Sequence, residues 1–266
     1  MRVAGWRLAD VSGVTLLRCL AIEAIPGVAH AFSTRRTPEG AGFDLGRADD
    51  RDESFRTRRR AFLDAAGLRS AQPALPRQVH GRVVVRTDPW PETPPVADGV
   101  LRAVRSKPAG PVPAVSTADC VPMLMLDRKG KTMAAVHAGW RGTAAGIAAA
   151  AVAVFEDEGV PSAELVVALG PAIGPCCYEV GDDVARALAD VGGGSHAPFT
   201  RGLPGAARVD LHHVLRLQLV AAGVPEGSIH AAPLCTHCRS DLFFSFRAEG
   251  PAAGRLMAVI GPCDRP

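Results

Sequence analysis

The sequence is poor in aromatic residues and carries no strong excess of one charge. Aromatic side chains make up 5% of the 266 residues, with a single tyrosine, and 30 lysines and arginines face 27 acidic residues. Single-stranded nucleic-acid binders need aromatic stacking platforms, and duplex binders need a basic surface. The composition therefore predicts no nucleic-acid partner.

Long apolar runs are also absent. No run reaches the roughly 18 residues of a membrane span, and the first residues lack the apolar core of a secretory signal. We therefore expect a cytoplasmic protein with no membrane partner. The sequence leaves the oligomeric state open.

The seven cysteines are an odd number, and a disulfide framework is a poor explanation for them in a reducing compartment. Metal ligation or nucleophilic chemistry is the better hypothesis. Cys235 and Cys238 form a CxxC pair, and Cys176 and Cys177 are adjacent, which makes a second, structural zinc site conceivable. Because adjacent cysteines chelate one metal poorly, we interpret these four as structural or incidental.

Hydrophobic periodicity predicts an α+β or mixed α/β unit of one domain. Helices are expected at 52–68, 142–159, 181–191 and 210–224, and a β-hairpin at 241–261. The stretch 76–86, "PRQVHGRVVVR", predicts a strand interrupted at His80 and Gly81.

A further predicted hairpin has "STADCVPMLMLD" as one arm, "RKGK" as the turn and "TMAAVHA" as the returning arm. Cys120 starts one arm and His137 ends the other, so both lie at the open end of the hairpin. A loop with an even number of residues places both side chains on one face of the sheet, and a loop with an odd number places them on opposite faces. The pair suits zinc ligation or an imidazole-activated thiolate, and His80 is the natural third member. Taken alone, the spacing fits a packed core histidine and a buried cysteine better.

Two neighbouring residues are further candidates. Arg141, in "GWRGTAAG", stands at a predicted helix start, where free N–H groups attract anions, although a solvent-exposed arginine fits equally well. Asp119 is placed to orient His137 or a substrate hydroxyl, and an ordinary exposed carboxylate is the alternative.

Several segments together resemble one family: "RQVHG", "ADGV", "STADCVPMLMLD", "AAVHAGWRGTAAGI", "LGPAIGPCCYEVG" and "CTHC...DLFFSFRAEGPAAGR". Their sequences and their order along the chain resemble those of the laccase-domain family, which is also called the polyphenol oxidase or peptidoglycan-editing-factor family. The resemblance implies a layered α/β/β/α sandwich with mixed sheets, as a single domain over 1–266, related to cysteine hydrolases. It also implies a metal site of His80, Cys120 and His137, usually with zinc and sometimes with copper.

The resemblance further implies small-molecule substrates, through phosphorolysis of purine nucleosides (adenosine, inosine, methylthioadenosine) and deamination of adenosine. We accordingly assign catalysis to Cys120, His137 and Asp119. Phosphate or substrate binding falls to Arg141, then Arg35 of "STR", together with Gln78. The sequence departs from the family pattern at Asp44, where asparagine is usual, and at "SFR", where "SYR" or "SHR" is commoner.

Three alternatives stay open. The first is a hydrolase with Cys120 as nucleophile and His137 as base, which edits cell-wall precursors carrying serine for alanine. A copper-dependent phenol oxidase is disfavoured, because multicopper oxidases need paired His-x-His motifs and the sequence has none. A non-enzymatic binding protein is the third.

Overall fold

The computed structural model describes residues 2–37, 40–47, 52–103, 110–189, 199–201 and 207–263. The strands, in chain order, are β1 (Arg2–Val3), β2 (Trp6–Val11), β3 (Val14–Cys19), β4 (Val28–Ser33), β5 (Arg36–Thr37), β6 (Gly40–Ala41), β7 (Pro73–Ala74), β8 (Val84–Arg86), β9 (Gly99–Ala103), β10 (Val112–Thr117), β11 (Val121–Asp127), β12 (Thr132–Ala138), β13 (Leu165–Leu169), β14 (Glu179–Val180), β15 (Phe199–Arg201), β16 (Ala207–Val209), β17 (Ile229–Ala231) and β18 (Leu256–Pro262). The α-helices are α1 (Leu20–Glu23), α2 (Glu53–Ala66), α3 (Trp140–Ala144), α4 (Ile147–Asp157), α5 (Asp182–Ala189), α6 (Leu211–Ala221) and α7 (Phe246–Glu249).

Two large mixed sheets form the centre of the molecule. The first has seven strands in the order β1-β2-β3-β4-β18-β10-β7, all antiparallel except the β10–β7 pair. The second has six strands in the order β17-β13-β11-β12-β9-β8, with parallel pairs at both edges. Two smaller sheets, β14-β16-β15 and β5-β6, lie beside them.

The sheets pack face to face, and helices cover their outer faces. Phe32 and Leu124 belong to the core between the sheets, Phe155 of α4 packs on the outer face of the second sheet, and Phe62 of α2 packs on the outer face of the first. Since β11 and β12 are covered on both faces, all their residues are buried. The predicted α/β/β/α layering is confirmed.

The helix predicted at 52–68 is α2, and both of its ends are capped. The Asp52 side chain accepts a hydrogen bond from the Ser54 N–H, and Gly67 ends the helix in the left-handed conformation with φ 91°. The helix predicted at 142–159 is instead two helices. Gly146, at φ 82°, separates α3 from α4, since a left-handed residue cannot continue a right-handed helix.

The hairpin predicted at 241–261 is wrong. Ser245 accepts a hydrogen bond from the Ala248 N–H and begins the short helix α7, and a 3-10 turn with Pro251 follows it. Only β18 is a strand there, and it pairs with β4 and β10 rather than with the residues before it. Within the parts of the chain given above, no helix has the length and hydrophobicity to cross a membrane.

Candidate active site

The β11–β12 hairpin brings Cys120 and His137 to one end of the second sheet. Pro122 pairs with His137, and four residues, 128–131, connect the two arms. The loop therefore has an even number of residues, as is needed to place Cys120 and His137 on one face. Side chains alternate along a strand, and Cys120 therefore lies on the same side as His137.

His80 reaches the same place from an irregular loop. Of the strand predicted at 76–86, only Val84–Arg86 forms a strand, which is β8. His80 lies in the loop before it and has φ 61°. A non-glycine residue in this region is uncommon and needs support from its surroundings. That support comes from Asp98, whose carboxylate accepts hydrogen bonds from the backbone N–H groups of His80 (2.9 Å) and Gly81 (2.6 Å).

The same Asp98 carboxylate orients His137. Nδ1 of His137 lies 2.8 Å from Oδ1 of Asp98, and the two side chains are 3% and 0% exposed. Burial raises the pKa of Asp98, but the hydrogen bonds from His137 and Gly81 outweigh it and hold the pKa below the usual value. With Nδ1 engaged, Nε2 of His137 is left to face Cys120 and His80.

One ligand atom each from His80, Cys120 and His137 lies within 4.8 Å of the other two. The two imidazole rings meet edge to face, with centroids 4.8 Å apart. Two nitrogens and one sulfur, with a carboxylate behind one histidine, are a donor set that zinc accepts. Three protein ligands beside a cavity leave room for a substrate position, as in catalytic zinc sites.

Gly139 is required because the side chains of Cys120 and His80 come so close to it. A Cβ atom at this position would lie 2.9 Å from the sulfur of Cys120 and 2.9 Å from Cδ2 of His80. Such contacts are shorter than packed atoms tolerate, and any side chain there would push two ligands aside.

Cys120 and His137 polarise each other. Burial raises the pKa of the Cys120 thiol, yet the charge of His137 and hydrogen bonds from both histidines bring it below the ordinary thiol value. Burial lowers the pKa of His137, yet Cys120 and Asp98 together raise it above the ordinary imidazole value. The site therefore favours a thiolate, the form of cysteine that binds metals and attacks electrophiles.

A cavity of about 580 Å³ opens beside His80, Cys120 and His137. Aromatic and cationic side chains share its wall. They include Trp140, Tyr178, Phe246, Arg47, Arg77, Arg141, Arg247 and Arg255. The Arg141 guanidinium lies over Trp140, 4.4 Å from the ring centroid, and Arg247 lies 5.4 Å from the centroid of Tyr178. The cavity can hold a flat, partly apolar molecule together with an anion.

Asp119 lies beside the cavity, but its carboxylate does not orient His137. Its two oxygens accept hydrogen bonds from the Thr236 hydroxyl (2.5 Å), the Ser245 hydroxyl (3.0 Å) and the Arg247 N–H (2.7 Å). The orienting carboxylate is that of Asp98, which the sequence contains in "ADGV". Asp98 directly precedes a strand that pairs with the strand of His137, and this position is the feature of the sequence that could have indicated its role.

Gln78 lines the cavity with its amide already engaged. Its nitrogen donates to the Ser116 carbonyl and its oxygen accepts from the Ser116 N–H, both at 2.8 Å. Arg35 lies apart, where its guanidinium is ion-paired with Glu249 at 3.1 Å and stacks over Phe244. Arg247, Arg255 and Tyr178, none of them singled out by the sequence, line the cavity instead.

The two departures from the family pattern both lie near this cavity. Oδ1 of Asp44 accepts hydrogen bonds from the N–H groups of Gly46 (2.9 Å) and Arg255 (2.7 Å). An asparagine oxygen at this position would accept the same two bonds, without the charge of the carboxylate. Phe246 of "SFR" supplies an aromatic part of the cavity wall.

Comparison with known proteins identifies the family. The family described as multi-copper polyphenol oxidoreductase laccase matches residues 29–262. The chain belongs to this family.

Two curated relatives and one solved structure show how close the similarity is. The chain is 34% identical, over 92% of its length and 93% of the relative's, to a protein named purine nucleoside phosphorylase YlmD from Geobacillus stearothermophilus. It is 36% identical, over 70% of its length and 73% of the relative's, to adenosine deaminase RL5 from an unknown prokaryotic organism. The crystal structure of the Geobacillus YlmD superposes with a TM-score of 0.85 at 31% identity, over 98% of this chain and all of that one.

Replacing Asp98 by asparagine removes the charge behind His137. We expect Asp98→Asn to weaken Zn²⁺ binding by about 10- to 100-fold, because the imidazole loses its anionic partner. Competition with a chromophoric chelator measures this. The control, Asp157→Asn, alters an exposed carboxylate on α4. Equal zinc affinity in a folded Asp98→Asn protein would contradict this role.

Gly139→Ala tests the close approach of the ligands. Since Gly139 has ordinary extended backbone angles, the added methyl acts by contact alone, and we expect zinc affinity to fall on the order of tenfold. Gly227→Ala is the matched control, because a Cβ there would meet nothing within 4 Å. Zinc per chain, measured after dialysis against a weak chelator, should fall in the first variant alone.

Proposed function

We propose that the protein is a metal-dependent purine nucleoside enzyme, which phosphorolyses adenosine, inosine and methylthioadenosine and also deaminates adenosine. The observation that carries this proposal is the position of His80, Cys120 and His137 on a cavity with aromatic and arginine walls. The names of the relatives, a purine nucleoside phosphorylase and an adenosine deaminase, support it.

His80, Cys120 and His137 would hold the metal, with zinc as the first choice and copper as the second. When bound, the ion supplies Lewis-acid polarisation of water or of a substrate oxygen. Asp98 keeps His137 in the tautomer with a free Nε2, and fixes the loop that carries His80. These residues set the ligand positions before substrate arrives.

The cavity wall offers an aromatic surface for the purine of a nucleoside and a cationic side chain for phosphate. Trp140 and Phe246 supply flat apolar surface for a purine, and Arg141 supplies a cation for phosphate. We assign phosphate binding to Arg141. Arg35 takes a positioning role instead, since its ion pair with Glu249 ties the end of β4 to α7.

Tyr178 is the proposed hydrogen-bond donor to the base. Burial raises the pKa of its hydroxyl to about 12, so the group stays protonated at neutral pH. In phosphorolysis the bond between C1′ of the sugar and N9 of the purine breaks, an oxygen of hydrogen phosphate bonds to C1′, and the proton that this phosphate gives up ends on the leaving purine. A neutral hydroxyl beside the base stabilises the negative charge that develops on the leaving purine.

A cysteine hydrolase is the second candidate, and one observation favours it. The charge of His137 helps to hold the pKa of Cys120 below the ordinary thiol value, which also suits a nucleophile. Such an enzyme would edit cell-wall precursors that carry serine for alanine. Stoichiometric labelling of Cys120 by an electrophile in metal-loaded protein would favour this alternative.

The copper phenol oxidase is disfavoured despite the description of the family. In the part of the chain covered by the structure, two groups of residues can hold a metal ion, and only one of them contains histidine. Multicopper oxidases need several copper centres that are rich in paired histidines.

Incubation of metal-loaded protein with adenosine, with and without phosphate, tests the proposed function. We expect adenine only with phosphate, and inosine in both conditions, with part of the inosine converted to hypoxanthine where phosphate is present. His137→Ala, assayed in parallel, should abolish both products. Absence of either product from metal-loaded wild-type protein would overturn the proposal and promote the hydrolase.

Arg141→Ala separates the two reactions. Loss of a charge-assisted hydrogen bond should raise the KM for phosphate by about 10- to 100-fold and leave deamination unchanged. Arg82→Ala is the control, since Arg82 is an exposed arginine on the loop after His80. An unchanged KM for phosphate would remove Arg141 from the anion site.

A further inference from the structure

A second cluster of metal-binding side chains lies outside the active site. From the sequence, Cys176, Cys177, Cys235 and Cys238 are expected to be structural or incidental, because adjacent cysteines chelate one metal poorly. The structure brings the four together, with all sulfur atoms within 4.8 Å of one another.

The sulfur distances fit one tetrahedral ion. Four sulfurs placed about 2.3 Å from a central zinc lie about 3.8 Å from each other. The Cys177 and Cys238 sulfurs are 3.3 Å apart, and those of Cys176 and Cys238 are 3.5 Å apart. A 4Fe–4S cluster binds each thiolate to a different iron, and a 2Fe–2S cluster binds the thiolates as two pairs on two irons, so both hold some sulfurs farther apart than this. The cluster has room for a single ion.

A tight turn explains how the adjacent cysteines both contribute. The Cys177 and Tyr178 N–H groups each donate to the Gly174 carbonyl at 2.9 Å, so the chain folds back directly before β14. The turn brings both sulfurs to Cys238, and the expected steric conflict between neighbours does not arise.

Cys235 completes the cluster from the other segment. Its sulfur accepts a hydrogen bond from the Gly174 N–H at 3.2 Å, the kind of backbone contact that surrounds metal-bound thiolates. The two segments are joined beside it, where Ala172 and Cys235 form a parallel bridge. A Cβ at Gly174 would lie 3.3 Å from Cβ of Cys235 and 3.4 Å from the sulfur of Cys176, which leaves little space for a side chain.

We propose that Cys176, Cys177, Cys235 and Cys238 bind one structural Zn²⁺, separate from the metal of His80, Cys120 and His137. Four thiolates with no open position are the ligand set of structural rather than catalytic zinc. The two sites share no residue, so this proposal does not depend on the proposed nucleoside activity.

The position of this site gives it a role in holding the active site together. The turn of Cys176 and Cys177 lies between Ile173 and Tyr178, which both line the cavity. Thr236, between Cys235 and Cys238, donates to Asp119 at 2.5 Å. A zinc ion here would tie two segments of the cavity wall to each other, as a disulfide does in an oxidising compartment.

Metal counting in matched variants tests the proposal. We expect about two zinc ions per chain in wild-type protein purified with zinc in the medium. Cys176→Ser/Cys238→Ser should keep one, and so should His80→Ala/His137→Ala, which loses the other site. Cys263→Ser, a cysteine outside the cluster, should keep both. Elemental analysis gives the count, and circular dichroism checks folding.

Cobalt substitution identifies the ligands without relying on the cysteine variant. Co²⁺ added to metal-free His80→Ala/His137→Ala should give the strong thiolate-to-metal absorption of tetrahedral sulfur coordination, because Cys120 alone cannot produce it. A lack of that absorption would overturn the proposal. Titration of fewer than seven thiols in protein denatured without reductant would also overturn it, since the cluster would then hold a disulfide.

Discussion

The buried carboxylate of Asp98 is the interaction on which the active site depends. One oxygen meets Nδ1 of His137 and the backbone N–H of His80, and the other accepts from Gly81. A fully buried carboxylate without partners would be costly, and here each oxygen is hydrogen-bonded. The charge thus fixes two of the proposed metal ligands, His137 and His80, at once, and it stabilises the positive φ of His80.

The rest of the fold places this carboxylate. Asp98 comes directly before β9, which pairs with β12, so its backbone carbonyl accepts from the His137 N–H at 2.7 Å. Helices on one side and the first sheet on the other exclude water from the hairpin that carries His137. In this dry setting a charge pair acts more strongly than at a surface. The layered fold therefore determines both the burial of His137 and its position beside Asp98.

Local patterns in the sequence predict the features that depend on local contacts. Alternation along the hairpin and an even loop place Cys120 and His137 on one face, and hydrophobic periodicity predicts α2. The break in the predicted strand at His80 and Gly81 makes His80 a candidate, and the family resemblance adds it as the third ligand, but the irregular loop that carries it has no periodicity to predict its geometry. Asp98, the break at Gly146 and the short helix after Ser245 were missed, since each depends on a contact or backbone angle that hydrophobic patterning does not encode. The four-cysteine cluster is not predicted either, because adjacent cysteines are expected to chelate poorly and the two pairs are separated by 57 residues between Cys177 and Cys235.

The most direct test is a crystal structure of zinc-loaded protein with anomalous data at the zinc edge. We expect an anomalous peak about 2.0–2.1 Å from a nitrogen of His80 and Nε2 of His137, and about 2.3 Å from the sulfur of Cys120. Asp98 should still contact Nδ1 of His137. A cavity without that peak in zinc-saturated crystals, with the Cys120 sulfur free, would contradict the assignment of these three residues as the metal ligands.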